Sequence, residues 1–286
     1  MAYIKEQQRF YPVAMMCLGL RVSKSAFYKW KKEPFCKRKQ DDKNLTQEIK
    51  LVFDDSSDTY GSPRIHAALC KKGFRCGRHR IAKLMKKANI RSRTKRKFKV
   101  TTDSKHKLPV AENILNRDFS PTRSNQAWVQ DITYIWTQEG WLYLAVVIDL
   151  YSRKVVGWSV QNNMRKGLVI DALDMAIKAR RPSANLLAHS DRGSQYCSGL
   201  FQAKLKANGM ICSMSRKGEC WDNAVAESFF HSLKTEHVYL NKFKTREEAK
   251  QSVFEFIEVF YNRTRLHSTL GFCSPVEYEE EFSKVA

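Results

Sequence analysis

The sequence predicts an α/β domain, a mixed sheet flanked by helices, preceded by an all-α region built from helix-turn-helix segments. Two observations predict it. First, residues 1–110 hold 29 Lys+Arg against 9 Asp+Glu, whereas the remaining 176 residues hold 22 against 20, so a basic module of +20 precedes a nearly neutral one. Second, from Ala127 the texture changes to apolar strand-length runs, in the order three strands, helix, strand, helix, strand, helices. At 286 residues and 43% hydrophobic, the chain is long and apolar enough for more than one domain.

Residues 11–30 read as a short helix, a break at Leu18-Gly19-Leu20, and a second helix that Ser23 caps. A second copy of this grammar follows at residues 62–70 and 77–88, where Ile65, Leu69, Ile81, Leu84 and Met85 form an apolar stripe around the turn Lys72-Gly73-Phe74. Arg78, Arg80, Lys83, Lys86 and Lys87 crowd its second helix, and residues 91–99 add six more cations, among them Arg93, Lys95, Arg96 and Lys97. A formal net charge of +22 concentrated here points to a polyanion, with phosphate contact the expected use of these side chains. An anionic membrane is the rival partner, but no apolar run approaches the roughly 18 residues that a span needs, and residues 1–10 lack the apolar core of a signal peptide. The expectation is a soluble, intracellular protein. Its eight cysteines contain no CxxC pair and fit reduced thiols. His66, Cys70, Cys76 and His79 are spaced poorly for zinc and read as ordinary helix and turn residues. The boundaries that follow are a helix-turn-helix-like segment at 1–35, a basic helical domain at 40–100, a polar linker at 101–122 and the α/β domain at 123–286.

Within that domain AWVQDITYIWT forms the first strand, Gln138-Glu139-Gly140 a turn, and WLYLAVVIDLYS a second strand buried on both faces. A third strand is expected over 154–160, a helix over 168–179, a strand over 185–189, a helix over 200–208 and a strand over 210–214. The next helix buries Val225, Phe229 and Leu233, with Asp222 and Asn223 as its cap residues. The last long helix opens at Thr245 with Glu248 as a capping box and carries Ala249, Val253, Ile257 and Phe260 inward. This order matches the ribonuclease H-like arrangement, although fold order alone does not give function.

Acidic residues stand where acids are costly. Asp131 interrupts an apolar strand, where an unpaired carboxylate is expensive to desolvate and a cation is the natural compensation. Asp191 lies just past a strand end, where ligand groups gather in α/β proteins. Glu227 and Lys234, seven apart on one helix, share a face. Phosphoryl transfer in DNA uses such carboxylates to hold a pair of divalent ions that activate the attacking oxygen and stabilise the leaving one. Asp149 is the internal competitor, but a tight hairpin places it opposite Trp128, so it reads as structural.

WVQDITYI, HSDRGSQY and DNAVAESFFHSLK together resemble the catalytic core of insertion-sequence transposases and retroviral integrases, with the characteristic 35 residues between Asp191 and Glu227. YGSPRIHAAL, GWLYLAVVIDLYSRKVVGW and YNRTRLHSTLGFCSP extend the resemblance to the second-frame protein of two-frame insertion sequences. The resemblance implies an RNase H-like core with Asp131, Asp191 and Glu227 as ligands of two Mg²⁺ ions, Mn²⁺ being a substitute, and Lys234 near the terminal DNA of the element. It also implies cleavage that exposes a 3′ hydroxyl, direct attack of that hydroxyl on another phosphodiester, and double-stranded DNA, both element ends and target, as partner. Assembly as an oligomer on DNA, fusion to an upstream-frame protein, and a place in the bacterial cytoplasm at the nucleoid follow from the same resemblance. The competing readings are a nuclease of the same fold that does not rejoin DNA, and a DNA-binding regulator with an inactive core.

Overall fold

The computed structural model describes residues 1–32, 37–93 and 109–282. The chain divides into two compact units, Met1–Ser92 and Arg93–Ala286.

In the first unit, α1 (Ala2–Gln7), α2 (Val13–Gly19) and α3 (Lys24–Lys32) close on Ile4, Cys17 and Phe27. Ser23 Oγ accepts the Ala26 N–H at 3.0 Å, which is the expected cap. The helix α4 (Lys37–Asp55) buries Leu45, Ile49, Val52 and Phe53, a helical stripe that meets α5 (Ser62–Lys71) and α6 (Arg78–Lys87). Ile65 and Leu69 on α5 and Ile81, Leu84 and Met85 on α6 complete the stripe, and Gly73, with φ of +87°, supplies the turn that an L side chain resists. The segment drawn at 1–35 thus belongs with the following helices in one compact unit.

The second unit is built on a five-stranded mixed sheet of order β3-β2-β1-β4-β5. Its strands are β1 (Ala127–Thr137), β2 (Gly140–Asp149), β3 (Val155–Gln161), β4 (Leu187–Ser190) and β5 (Ile211–Met214). The first three pair antiparallel, and β4 and β5 join them in parallel. Trp128 stands opposite Asp149, the register that a two-residue turn dictates. One face of the sheet is covered by α7 (Lys166–Arg180) and α8 (Gly199–Ala207), the other by α9 (Ala224–Glu236) and α10 (Arg246–Phe254). Gly157 on β3 allows α7 its close approach, since a Cβ there would lie 2.3 Å from the Ala172 carbonyl oxygen. The chain ends on α11 (Pro275–Phe282), where Glu279 accepts from Ser152 Oγ at 2.7 Å and pairs with Lys154 and Arg180.

Five expectations need correction. Asn223 does stand at the N-cap position of α9, but its side chain makes no cap bond and donates instead to the Gln130 carbonyl at 3.2 Å, while Asp222 is buried in a bonding node described below. The buried face of α9 includes Ala226, Phe229, Phe230 and Leu233, with Val225 only partly covered. In the last long helix Thr245 Oγ1 accepts the Glu248 N–H, but Glu248 returns to the Lys244 N–H. That helix passes into a π-helical segment at Glu255–Tyr261, whose extra residue per turn brings Phe256 and Tyr261 inward and leaves Phe260 partly covered. Finally, the polar stretch 101–122 is not all linker. Glu112 accepts the Met214 N–H, the N–H groups of Ile114 and Leu115 donate to Ser213 Oγ, and Leu115 is buried.

Candidate active site

The sheet brings three acids to one cleft. Asp131 sits mid-way along β1 opposite Val146, and its Oδ1 accepts the Ile132 N–H at 2.8 Å. Asp191 follows the end of β4, where its Oδ1 accepts the Gly193 N–H at 2.9 Å. A Cβ at Gly193 would press to 3.0 Å from that same oxygen, so glycine serves close approach to the acid here, not a positive φ. Glu227 lies in the first turn of α9, and Lys234 follows near its end. All four line a single cavity of about 900 Å³.

Burial and mutual repulsion set the electrostatics of the three acids. Burial, then the neighbouring Asp191 and Glu227 carboxylates, push the Asp131 carboxyl well above its ordinary range, against the pull of the Ile132 N–H and Lys234. Partial burial also raises Glu227. Lys234 is lowered by burial, which outweighs its attraction to Asp131, and its Nζ lies 4.8 Å from the Tyr134 ring centroid. Crowded carboxylates of this kind need a proton or a cation, and an all-oxygen donor set suits hard divalent ions. The three do not form a ready-made cage: among the described residues no three acidic, histidine or cysteine side chains stand close enough to share one ion. Mutual repulsion opposes closer approach of three carboxylates until positive charge is supplied.

The cleft's supports went unread in the sequence. Asp222, fully buried, accepts hydrogen bonds from Asn113 Nδ2 (2.9 Å), Arg117 Nε (2.7 Å), and the backbone N (2.9 Å), Nε (3.0 Å) and Nη2 (2.9 Å) of Arg216. These bonds, led by that of Arg216, hold its carboxyl well below the usual carboxylate range. The node ties the segment before β1 to the turn that leads into α9, and so to Glu227. Its partners are 105 residues apart in the chain, which no local pattern reveals. Behind Asp191, His189 is fully buried between Ser213 Oγ (2.8 Å from Nδ1) and Ser215 Oγ (3.2 Å from Nε2). Because Ser213 Oγ already accepts two backbone N–H groups, its own hydrogen goes to Nδ1, which makes Nε2 the protonated nitrogen. Desolvation lowers His189 to about 4, so it is a neutral structural histidine.

Other sequence candidates resolve similarly. Asp149 is buried opposite Trp128 and accepts the N–H groups of Asn125 and Tyr151, a structural role away from the cleft lining. Gln195 donates to the Met164 carbonyl, and Tyr196 is buried against Phe201. In YNRTRLH, Asn262 makes paired bonds to the backbone of Val155 at 3.0 Å on the edge strand β3. Arg265 pairs with Glu236 at 2.7 and 2.8 Å, both buried, and His267 contacts Tyr261 and Thr269. In the first unit Arg78, Lys83, Lys86 and Lys87 are exposed on α6, and Arg93, the first residue of the second unit, is also exposed. Arg80 differs, since its guanidinium pairs with Asp42 on α4 at 2.6 Å. Lys95, Arg96 and Lys97 lie outside the described residues.

Residues 121–220 match a family model described as an integrase core domain, residues 227–282 a second of the same description, and residues 39–98 an HTH-like domain. With the ribonuclease H-like sheet, these define the chain as a polynucleotidyl transferase of the integrase-core class. An insertion element IS600 protein of 31 kDa from Shigella sonnei is 45% identical over 95% of this chain and 100% of its own length. Transposase InsF for insertion sequence IS3A from Escherichia coli K12 is 41% identical over 98% of both chains. The chain belongs to the family of insertion-sequence transposases of the InsF type, for which DNA cleavage and strand transfer are the expected activity. Among solved structures, the catalytic core of HTLV-2 integrase in complex with magnesium aligns at a TM-score of 0.43, with 16% identity over 55% of this chain and 97% of that one. A simian T-cell lymphotropic virus intasome chain aligns at 0.44, with 18% identity over 77% and 70%.

Proposed function

We propose that Asp131, Asp191 and Glu227 are the catalytic triad with which this transposase cleaves the ends of its insertion sequence and joins them to target DNA. The observation that carries the reading is the placement of three carboxylates, from β1, the end of β4 and α9, in one cleft where burial, and then the neighbouring carboxylates, raise Asp131. Asp131, Asp191 and Glu227 would hold two Mg²⁺ ions, or Mn²⁺ in their place, and such ions would activate the attacking oxygen and stabilise the leaving one. Asp131, set in the rigid centre of the sheet, is the fixed ligand; Asp191 and Glu227 approach from either side. Lys234 binds a phosphate of the element's terminal nucleotides, since a buried-stem ammonium at the cleft wall neutralises a phosphodiester without competing as a ligand.

Arg78, Lys83, Lys86, Lys87 and Arg93, with Lys95, Arg96 and Lys97, bind duplex phosphates, and Arg80 supports them by fixing α6 to α4. The working enzyme is an oligomer on double-stranded DNA in the bacterial nucleoid, and fusion to the upstream-frame protein completes it. Among the described residues no helix is long and apolar enough to cross a membrane. The test is to incubate the full chain, alone and as the fusion, with labelled element ends, a target plasmid and Mg²⁺. Joined molecules that vanish on chelation support the reading. Nicked ends without joined product from either form favour the nuclease instead.

A further inference from the structure

The β1–β2 hairpin continues past the acids and ends in an aromatic wall. Trp136 faces Trp141 across the hairpin with ring centroids 4.8 Å apart, and Tyr134 meets Trp141 at 4.9 Å. Trp136 is 58% exposed and Trp141 43% exposed, yet all three rings line the same cavity as Asp131, Asp191 and Glu227. The tip is firmly held. Thr137 bridges to Phe243, Gln138 N–H donates to the Phe243 carbonyl at 3.1 Å, and Arg246 bonds to Glu139 and to the Trp141 carbonyl. Cations share the cavity: Lys217, Lys234, Lys242, Arg192 and Arg216.

We propose that Trp136, Trp141 and Tyr134 are a stacking platform for unpaired bases of the DNA strand whose scissile phosphate lies at the triad, an inference that rests on the transposase reading. Exposed aromatic faces beside cations fit a ligand that is polyanionic and carries flat apolar surfaces. Single-stranded DNA has both, whereas a duplex hides its base faces. The spacing sets which bases are meant. Tyr134 is three residues and Trp136 five residues beyond Asp131 on one strand, hence about 10 Å and about 17 Å away. At about 3.4 Å per nucleotide, the rise of a strand stacked as in duplex DNA, these distances span at most about three to five nucleotides from the scissile phosphate, and fewer where the unpaired strand is extended. The anchored tip means that the rings are ordered before DNA arrives, so little ordering cost is charged to binding. Stacking is tolerant of sequence, so the platform opens DNA ends in general and leaves recognition of the end sequence to other residues.

The test uses the full chain without divalent ion and three labelled DNAs of equal length: a blunt duplex, a duplex forked over its last few pairs, and the same fork with abasic sites in the unpaired arm. Wild type is expected to bind the fork more tightly than the blunt duplex and to lose that preference with the abasic arm. Combining Trp136→Ala and Trp141→Ala is expected to weaken fork binding about 10- to 100-fold with little change on the blunt duplex, while Trp136→Phe with Trp141→Phe restores most of it. A 2-aminopurine in the unpaired arm reports stacking directly through its quenching by wild type. Equal binding of fork and abasic fork by wild type overturns the proposal without recourse to any variant. So does an alanine pair that keeps the fork preference, and one that changes only oligomeric state assigns the rings to an interface between copies. Because no cleavage is measured, these outcomes are separate from the triad, which is tested by cleavage with Asp131→Asn, Asp191→Asn and Glu227→Gln.

Discussion

Replacing Asp222 by Ala tests whether the buried node, rather than helix capping, positions Glu227. The substitution removes five hydrogen bonds at once. Their energies are unequal. The Arg216 backbone N–H is left without its acceptor, at a cost of about 1–3 kcal/mol, and the Asn113 bond is worth about 1 kcal/mol. The guanidiniums of Arg117 and Arg216 are 40% and 48% exposed and can turn to water, so neither ion pair adds much to that sum. A destabilisation of about 3 kcal/mol is therefore expected, which for a domain of this size lowers the melting temperature by about 6–12 °C. Cleavage of element ends is expected to fall at least about tenfold, since about 1.4 kcal/mol of lost positioning is enough for that. Duplex binding through α6 should be unchanged.

Acid adds a second reading of the same variant. Because the folded carboxyl of Asp222 is held below its unfolded value of about 3.9, its contribution is fully present above that value and is lost only as pH falls further, through the folded value. The wild-type advantage over Asp222→Ala should thus be the same at pH 7 and pH 5. Melting by calorimetry and an end-cleavage assay read the two effects. A variant that melts within about 2 °C of wild type and cleaves normally refutes the node.

Lys234→Ala should lower kcat/KM on element ends by about 10- to 100-fold, the loss of one charged hydrogen bond to phosphate, and Lys234→Glu should be worse. Lys206, exposed on α8 away from the cleft lining, is the proper control, because Lys242 lines the cavity itself; equal losses at Lys206 and Lys234 would remove the assignment. Combined Lys83→Ala, Lys86→Ala and Lys87→Ala should flatten the slope of log affinity against log salt by about 3, at about 0.9 per phosphate contact, and an unchanged slope would move duplex binding elsewhere. His189, lowered to about 4 from an unfolded value of about 6.5, stabilises the fold fully above the unfolded value and loses that contribution as pH falls through the folded one. The contribution is about 3 kcal/mol, because the gap between the folded and unfolded values counts about 1.4 kcal/mol for each tenfold change in proton affinity. Urea midpoints of His189→Gln should accordingly vary less than those of wild type between pH 7 and pH 4, and parallel profiles would contradict the buried neutral imidazole.

Much of this was legible in the residues. Strand alternation and a two-residue turn fix the register that sets Trp128 against Asp149, and the same register places Trp136 against Trp141, so the aromatic wall was readable from the hairpin. An acid in the apolar strand β1 was conspicuous because its desolvation demands a partner. Long-range bonds were not legible. Asp222 looked like a cap since Asp before a helix usually is one, and only the fold brings Arg117 to it. The polar segment at 111–119 looked like linker because its burial depends on Ser213 and Asp222, far along the chain. Arg80 looked like its exposed neighbours until α4 supplied Asp42, and the π-helical segment shifted an inner stripe that regular helix spacing had set at Phe260.

The most direct measurement is strand transfer by three variants that keep side-chain shape and remove charge: Asp131→Asn, Asp191→Asn and Glu227→Gln. Each should retain the wild-type fold and its duplex affinity, since the three acids line a cleft and not the core. Each should also lose both cleavage and joining, with Mg²⁺ and with Mn²⁺. A variant that still joins element ends at near wild-type rate would remove its residue from the triad and contradict the proposed chemistry of the cleft.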